Sequence, residues 1–221
     1  MTLQTTLFRA RHAALSLALA TALLLPCAAS AADAGASAPT GTDPTQQAFA
    51  DAERAARTGP VDVELADQAV LHLPAGHSFV PQPQAGKLLN AMGNPGTDPR
   101  LQGLIFPKGD GGRFMTVRYE SSGYVKDDDA KDWNADELLK SYQEGTEASN
   151  EQRLKLGVKA IEVLGWAEKP AYDATTHRLA WAMSSREKGA AADAPQGVNY
   201  NTYALGREGY FSMNLVTSLQ D

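Results

Sequence analysis

Three of the four histidines, a run of aspartates and two serine pairs are the residues of this chain that could do chemistry. His72 and His77 lie five residues apart across Pro74-Ala75-Gly76, and two imidazoles at that separation could begin a zinc site. A zinc site needs a third ligand, and neither HExxH spacing nor paired cysteines occur, so the two are read as a strand residue and a turn residue and no metal is expected. His177 follows a turn and reads as a half-exposed strand residue. Asp127-Asp128-Asp129, with Asp132 and Asp136 beyond, suggests calcium. An EF-hand loop starting at Asp127 would need an oxygen ligand where Lys131 stands and glycine where Asp132 stands, so the run is read as the acidic entrance of a helix. Gly109-Asp110-Gly111-Gly112 is followed by no GK[ST] and reads as a turn, not a phosphate loop. Ser121-Ser122 and Ser184-Ser185 lie in no GxSxG elbow and have no base placed near them in sequence. No catalytic residue and no cofactor is predicted.

The whole chain bounds the partners. Its 221 residues carry 26 Asp plus Glu against 20 Lys plus Arg, a net charge of −6, which excludes a basic nucleic-acid binder. With 43% hydrophobic and 21% charged residues it has the composition of a globular protein.

The N-terminus reads as an export signal. Arg9, Arg11 and His12 precede the apolar run Ala13 to Leu25, which Pro26 closes. This run of thirteen residues falls short of the ~20 that cross a bilayer as a helix. Ala29-Ser30-Ala31 offers the small side chains a signal peptidase wants, so residues 1–31 are read as a signal peptide. Retention as an anchor is the rival, and Pro26 makes a poor spanning end. Pro26 also argues against lipid attachment at Cys27, where a small residue should precede the cysteine. Removing 1–31 takes away the only cysteine and leaves a chain two charges more acidic than the −6 of the whole. Residues 32–42, made of Ala, Gly, Ser, Pro and Thr with one Asp, read as a flexible tether.

The elements that must position any site follow from period and punctuation. Asp43-Pro44 reads as a helix cap and first position, with a short helix over 43–58 whose apolar face is Phe49, Ala52 and Ala56. From residue 59 to 221 a single α+β domain is expected. Val61 to Leu65 and Val70 to Leu73 form a hairpin about Asp67-Gln68, Gly76 to Val80 adds a strand, and Gln84 to Met92 a short helix. Leu101 to Phe106 and Arg113 to Tyr119 are further strands. Asn134 with Glu137 three positions on is a capping box that starts the longest helix, which Gly157 stops. The apolar-poor stretch Gly145 to Glu151 allows either a break there or an exposed face. Lys159 to Ala167, His177 to Ser184, Val198 to Leu205 and Gly209 to Thr217 read as an antiparallel meander. The expected fold is therefore α+β: a curved antiparallel sheet of six to eight strands with the 134–156 helix packed on a face. Ile161, Val163, Leu179, Trp181, Tyr200, Phe211, Met213 and Leu215 are expected to be buried against that helix.

Several separated motifs occur in order: Asp132-Trp133-Asn134-Ala135-Asp136-Glu137-Leu138-Leu139, Gly145-Thr146-Glu147, Gly165-Trp166, Lys169-Pro170, Tyr172-Asp173, Thr176-His177-Arg178-Leu179, Trp181-Ala182, Asn199-Tyr200-Asn201 and Leu205-Gly206-Arg207-Glu208-Gly209. With them the chain, over about residues 60–221, resembles a bacterial family of membrane-anchored proteins of unknown function. The resemblance implies a periplasm-facing domain and membrane attachment, but no activity. Its members continue into an apolar C-terminal anchor, whereas this chain ends at Asp221, so it reads either as a truncated form or as a member that lacks the anchor. Because the N-terminal apolar run is too short to span and Pro26 closes it, a soluble periplasmic product is expected of this form. Asn199, Tyr200, Asn201 and Arg207 are the candidate binding residues. The competing reading is an ordinary strand with Tyr200 in the core and a glycine-bounded turn. The function expected is that of a non-catalytic binding or scaffolding module of the cell envelope, with an envelope protein or ligand as partner. The alternative is a hydrolase or transferase whose site is assembled from residues distant in sequence.

N-terminal sequencing of the exported protein is expected to give a start at Ala32. A start at Met1 in the membrane fraction, or a lipid-blocked Cys27, would overturn the signal reading.

Overall fold

The computed structural model describes residues 43–218 apart from 95, 110–112 and 128–133. The signal and tether readings, much of the 109–112 turn, and Asp128, Asp129 and Asp132 lie outside the described residues. The described chain divides into two compact units, one running to Arg118 and the other starting at Tyr119, within the span read from the sequence as one domain.

In the first unit, α1 (Pro44–Ala55) begins at the expected cap: the Asp43 carboxylate accepts from the Thr45 N–H at 3.0 Å, and Pro44 takes the first helical position, where a missing N–H costs nothing. Its inward face is Ala48 and Ala52, while Phe49, expected inside, is half exposed. Small residues suit this helix because it packs on α2 (Gln84–Ala91), whose Ala85 and Leu88 are buried. The strands are β1 (Arg57–Thr58), which the sequence reading did not contain, β2 (Val61–Leu65), β3 (Ala69–Leu73), β4 (His77–Pro81), β5 (Leu101–Pro107) and β6 (Phe114–Glu120). β2 and β3 pair as the expected hairpin. Ala66 and Asp67 both have positive φ, and the Gln68 N–H closes the turn on the Leu65 carbonyl at 2.9 Å, the geometry that matches strand twist. The others form a sheet in the order β1-β4-β5-β6. Gly103 in β5 has no room for a side chain, because a Cβ there would come within 2.3 Å of the Phe79 ring.

The second unit is the expected antiparallel meander with the long helix. β7 (Ile161–Asp173), β8 (Arg178–Glu187), β9 (Gly197–Leu205) and β10 (Tyr210–Ser218) lie in the order β10-β9-β8-β7. The described residues thus hold eight strands of antiparallel sheet, four in each unit, besides the β2–β3 hairpin. α3 (Ala135–Lys155) starts where Asn134 accepts from the N–H groups of Asp136 and Glu137. It runs unbroken through Gly145. It ends at Gly157, whose φ of +73 lets the Gly157 and Val158 N–H groups return to the Leu154 and Arg153 carbonyls.

Register separates the two faces of this sheet. Leu179, Trp181, Met183 and Ser185 stand opposite Tyr203, Asn201, Asn199 and Gly197 and share one face. Tyr142 and Leu138 of α3 pack on that face with Leu179, Trp181, Met183, Val163, Trp166, Tyr172 and Tyr203. Tyr142 lies edge-on to Trp166 at 6.3 Å, and Trp181 edge-on to Tyr203 at 5.0 Å. Burial pushes the Tyr142 phenol well above its ordinary pKa. The expected core needs correcting here. Phe211, Met213 and Leu215 stand opposite Ala204, Thr202 and Tyr200, so they lie with Tyr200 on the face away from Trp181. Tyr200 is 43% exposed and is not a core residue.

α3 also takes charge of the sheet's outer edge. The Lys188 N–H bonds to the Ala160 carbonyl, so the Ile161–Glu187 pair is a non-hydrogen-bonded one and Ile161 turns its N–H and C=O away from β8. Asn150, itself buried, meets both: Oδ1 accepts from the Ile161 N–H at 3.0 Å, and Nδ2 donates to its carbonyl at 2.9 Å. Two residues on, the Val163 carbonyl accepts from Gln143 Nε2 at 3.2 Å, and two residues back the Lys159 carbonyl accepts from Arg153 Nε at 3.0 Å. Gln143 and Asn150 are seven residues apart, two helical turns, and so lie on one stripe. The apolar-poor middle of the helix is the part that serves as a surrogate neighbouring strand.

Replacing Asn150 by alanine leaves two buried backbone groups unpaired and is expected to cost about 2–4 kcal/mol in urea unfolding. Gln152→Ala, on the exposed side, should stay within about 0.5 kcal/mol of the parent. Equal effects would show that the edge is not held this way.

Candidate functional site

The β7–β8 turn is built by Asp173. Its carboxylate accepts from the Thr175 N–H at 2.8 Å and the Thr176 hydroxyl at 2.7 Å, an Asx turn that reverses the chain. His177 follows with φ +49, a left-handed conformation uncommon for a side chain of its size, and its carbonyl is anchored by the Leu205 N–H at 3.0 Å. The sequence reading put His177 in the strand. The strand begins one residue later, and the positive φ turns the imidazole to another partner.

That partner is Asp127, fifty residues earlier in sequence. His177 Nδ1 lies 3.0 Å from Asp127 Oδ2, and the Tyr172 hydroxyl donates to the same oxygen while standing 3.2 Å from His177 Nδ1. The two donors converge on one carboxylate. The Asp127 carboxyl is held below its ordinary pKa by the Tyr172 hydrogen bond first and the His177 bond second, and the Tyr172 phenol is pushed up to about 12, chiefly by the same bond. With Nδ1–H donating to Asp127, the neutral ring leaves Nε2 as an acceptor. The His177 side chain is 61% exposed and that of Asp127 18%. The arrangement can hold a proton acceptor or an ionic recognition point at the surface.

The candidate binding residues are distributed differently. Asn199 and Asn201 are buried on the face that carries Trp181. Asn201 donates to the Asn199 carbonyl at 3.1 Å and accepts from Asn214 Nδ2 at 2.9 Å. Tyr200 lies on the opposite face, and Arg207 is exposed in the β9–β10 turn. The structure brings the two asparagines together and leaves Tyr200 and Arg207 apart from them. The turn beside Arg207 is tightly fitted: a Cβ on Gly209 would come within 2.0 Å of the Glu120 carbonyl oxygen.

The other candidates lie elsewhere. His72 Nδ1 is 2.6 Å from Asp62 on the exposed face of the β2–β3 hairpin, and His77 Nδ1 is 3.3 Å from the Ala75 carbonyl. Among the described residues no group of three or more His, Cys, Asp or Glu gathers where it could hold a metal. In the first unit Asp98 accepts from Arg100 and Arg118, each at 2.8 Å, and these bonds outweigh the upward push of burial and hold its carboxyl below the ordinary range. That cluster pins the approach to β5.

One concavity lies along the outer side of α3. It is an open groove of about 660 Å³ lined by Glu144, Glu147, Ala148, Asn150, Glu151, Leu154, Ala160 and Lys188. Among the described residues no helix is long and apolar enough to cross a membrane.

These features define an α+β protein of antiparallel sheet with one long helix on a face and polar clusters at its surface. Residues 57–221 match the family described as "Protein of unknown function (DUF2167)", and the chain belongs to that family. No curated protein matches the sequence.

A carboxylate whose folded pKa is depressed contributes stability that is fully present above its unfolded value of ~3.9 and is lost as pH falls through the lower folded value. The parent is expected to lose this contribution below about pH 4, and Tyr172→Phe to show a smaller loss there. NMR titration of the Asp127 carboxyl should show the midpoint moving up in Tyr172→Phe. An unchanged midpoint would show that the phenol does not hold the carboxylate.

Proposed function

We propose that this is an exported protein of the bacterial cell envelope whose folded part binds or scaffolds another envelope component. Export rests on the 1–31 signal pattern, and a periplasmic location follows from it. The resemblance to membrane-anchored proteins supports work close to the membrane. The observation that carries the binding reading is the open setting of the surface clusters. Asp127, Tyr172 and His177 meet at a hairpin end where the imidazole is largely in solvent, and the groove beside α3 is open and lined in part by an exposed leucine. Acid–base catalysis gains most from groups shielded from water, whereas surface recognition needs them accessible.

A hydrolase or transferase is the second reading, and the Asp127–His177 contact favours it, since a carboxylate on Nδ1 orients Nε2 as a base.

The experiment is site-specific photo-crosslinking of the full chain in its own envelope. A probe at position 154 or 177 should yield a discrete adduct that a probe at exposed position 67 does not. No discrete adduct at either position would overturn the binding reading. Turnover of ester or phosphoester substrates that His177→Gln abolishes would replace it with the enzymatic one.

A further inference from the structure

We propose that the groove beside α3 docks a basic amphipathic segment of a partner protein, with an apolar side chain seated on Leu154 and lysine or arginine side chains reaching Glu144 and Glu151. This rests on the binding reading above and names the partner's chemistry. Glu144, Glu147 and Glu151 are spaced three and four residues apart and so form one acidic stripe on the helix. Beside the stripe the surface is apolar. Ala148, Leu154 and Ala160 line it, and Leu154 is 62% exposed, with Leu156 close by in sequence at 52%. Asn150 lies in the groove, but its amide is committed to Ile161.

The chain itself shows what the rim accepts. Lys188, from the β8–β9 loop, places its ammonium 2.5 Å from Glu147 Oε1, and the Glu147 carboxyl is held below its ordinary pKa chiefly by that bond. A cationic side chain is thus already seated at the middle of the stripe, leaving one carboxylate on each side of it. Glu144 is approached by Lys140 at 3.8 Å with both side chains largely in solvent, a contact weak enough for a partner to displace. An anionic partner, whether a nucleic acid or an acidic lipid surface, would meet three carboxylates against one lysine.

The test uses the full chain and a synthetic amphipathic peptide of leucine and lysine, followed by calorimetric titration. A peptide with glutamate in place of lysine serves as control. The lysine peptide should bind with a salt-sensitive affinity, and the glutamate peptide should not. Leu154→Asp makes the groove more acidic, so general attraction between opposite charges predicts tighter binding, whereas docking predicts a loss of at least about tenfold. Glu144→Lys with Glu151→Lys should lose as much, while Glu64→Lys together with Asp67→Lys, the same charge change placed on the β2–β3 hairpin, should lose little. Leu154 is exposed, so its substitution should leave the unfolding midpoint unchanged. Binding that survives or strengthens in Leu154→Asp overturns the groove assignment while leaving the binding reading standing. A dimer of the parent chain that Leu154→Asp dissolves would give the groove to a second copy instead. Absence of any discrete cross-link in the envelope overturns the binding reading itself.

Discussion

Ile161 begins an edge strand with its N–H and C=O turned away from the sheet, and the side chain of Asn150 receives both. Most of the second unit depends on that exchange. An edge strand with free backbone groups invites pairing with another chain, and a buried one without partners carries a desolvation penalty. Asn150 removes both liabilities at the first residue of β7, and Gln143 and Arg153 repeat the device two residues to either side. The helix must therefore run alongside β7, and Trp166 secures its far end by donating from Nε1 to the Ala135 carbonyl at 3.2 Å.

With the helix aligned on the edge, Leu138 and Tyr142 fall on the inner face of the sheet. Tyr142 meets Trp166 and Trp181 there, and Trp181 continues the aromatic series to Tyr203. The same geometry accounts for the outward stripe of Glu144, Glu147 and Glu151. A helix whose polar side chains are used at a strand edge and whose aromatic residues are used on a face has only its third side left for solvent. The groove lies on that third side, bounded by the loop from which Lys188 reaches back.

The hairpin end obeys a different economy. Asp173 makes the turn with its own carboxylate, which places His177 in a left-handed conformation and beside Tyr172, five residues away across the turn. Asp127 completes the group from the irregular segment after β6. Two of its members stand in the motifs Tyr172-Asp173 and Thr176-His177, but their spacing matches no known catalytic pattern, and no local signal connects them to an aspartate fifty residues earlier.

Patterning along the chain was enough to determine the elements other than β1. The caps at Asp43 and Asn134, the stop at Gly157, the β2–β3 hairpin and the four strands of the meander are all local, because each depends on residues within a few positions of one another. The α+β class follows from the same information. What tertiary structure alone decided is register, and with it the meaning of each alternate residue. A strand of period two shows that Tyr200 and Asn201 face opposite ways but not which way is inward. Only pairing with Leu215 and Trp181 placed Tyr200 in solvent and the asparagines inside, and it moved Phe211, Met213 and Leu215 off the helix face. The polar middle of α3 looked like a weak point because its partners are backbone groups of β7, which carry no signature in the identity of the residues that bear them.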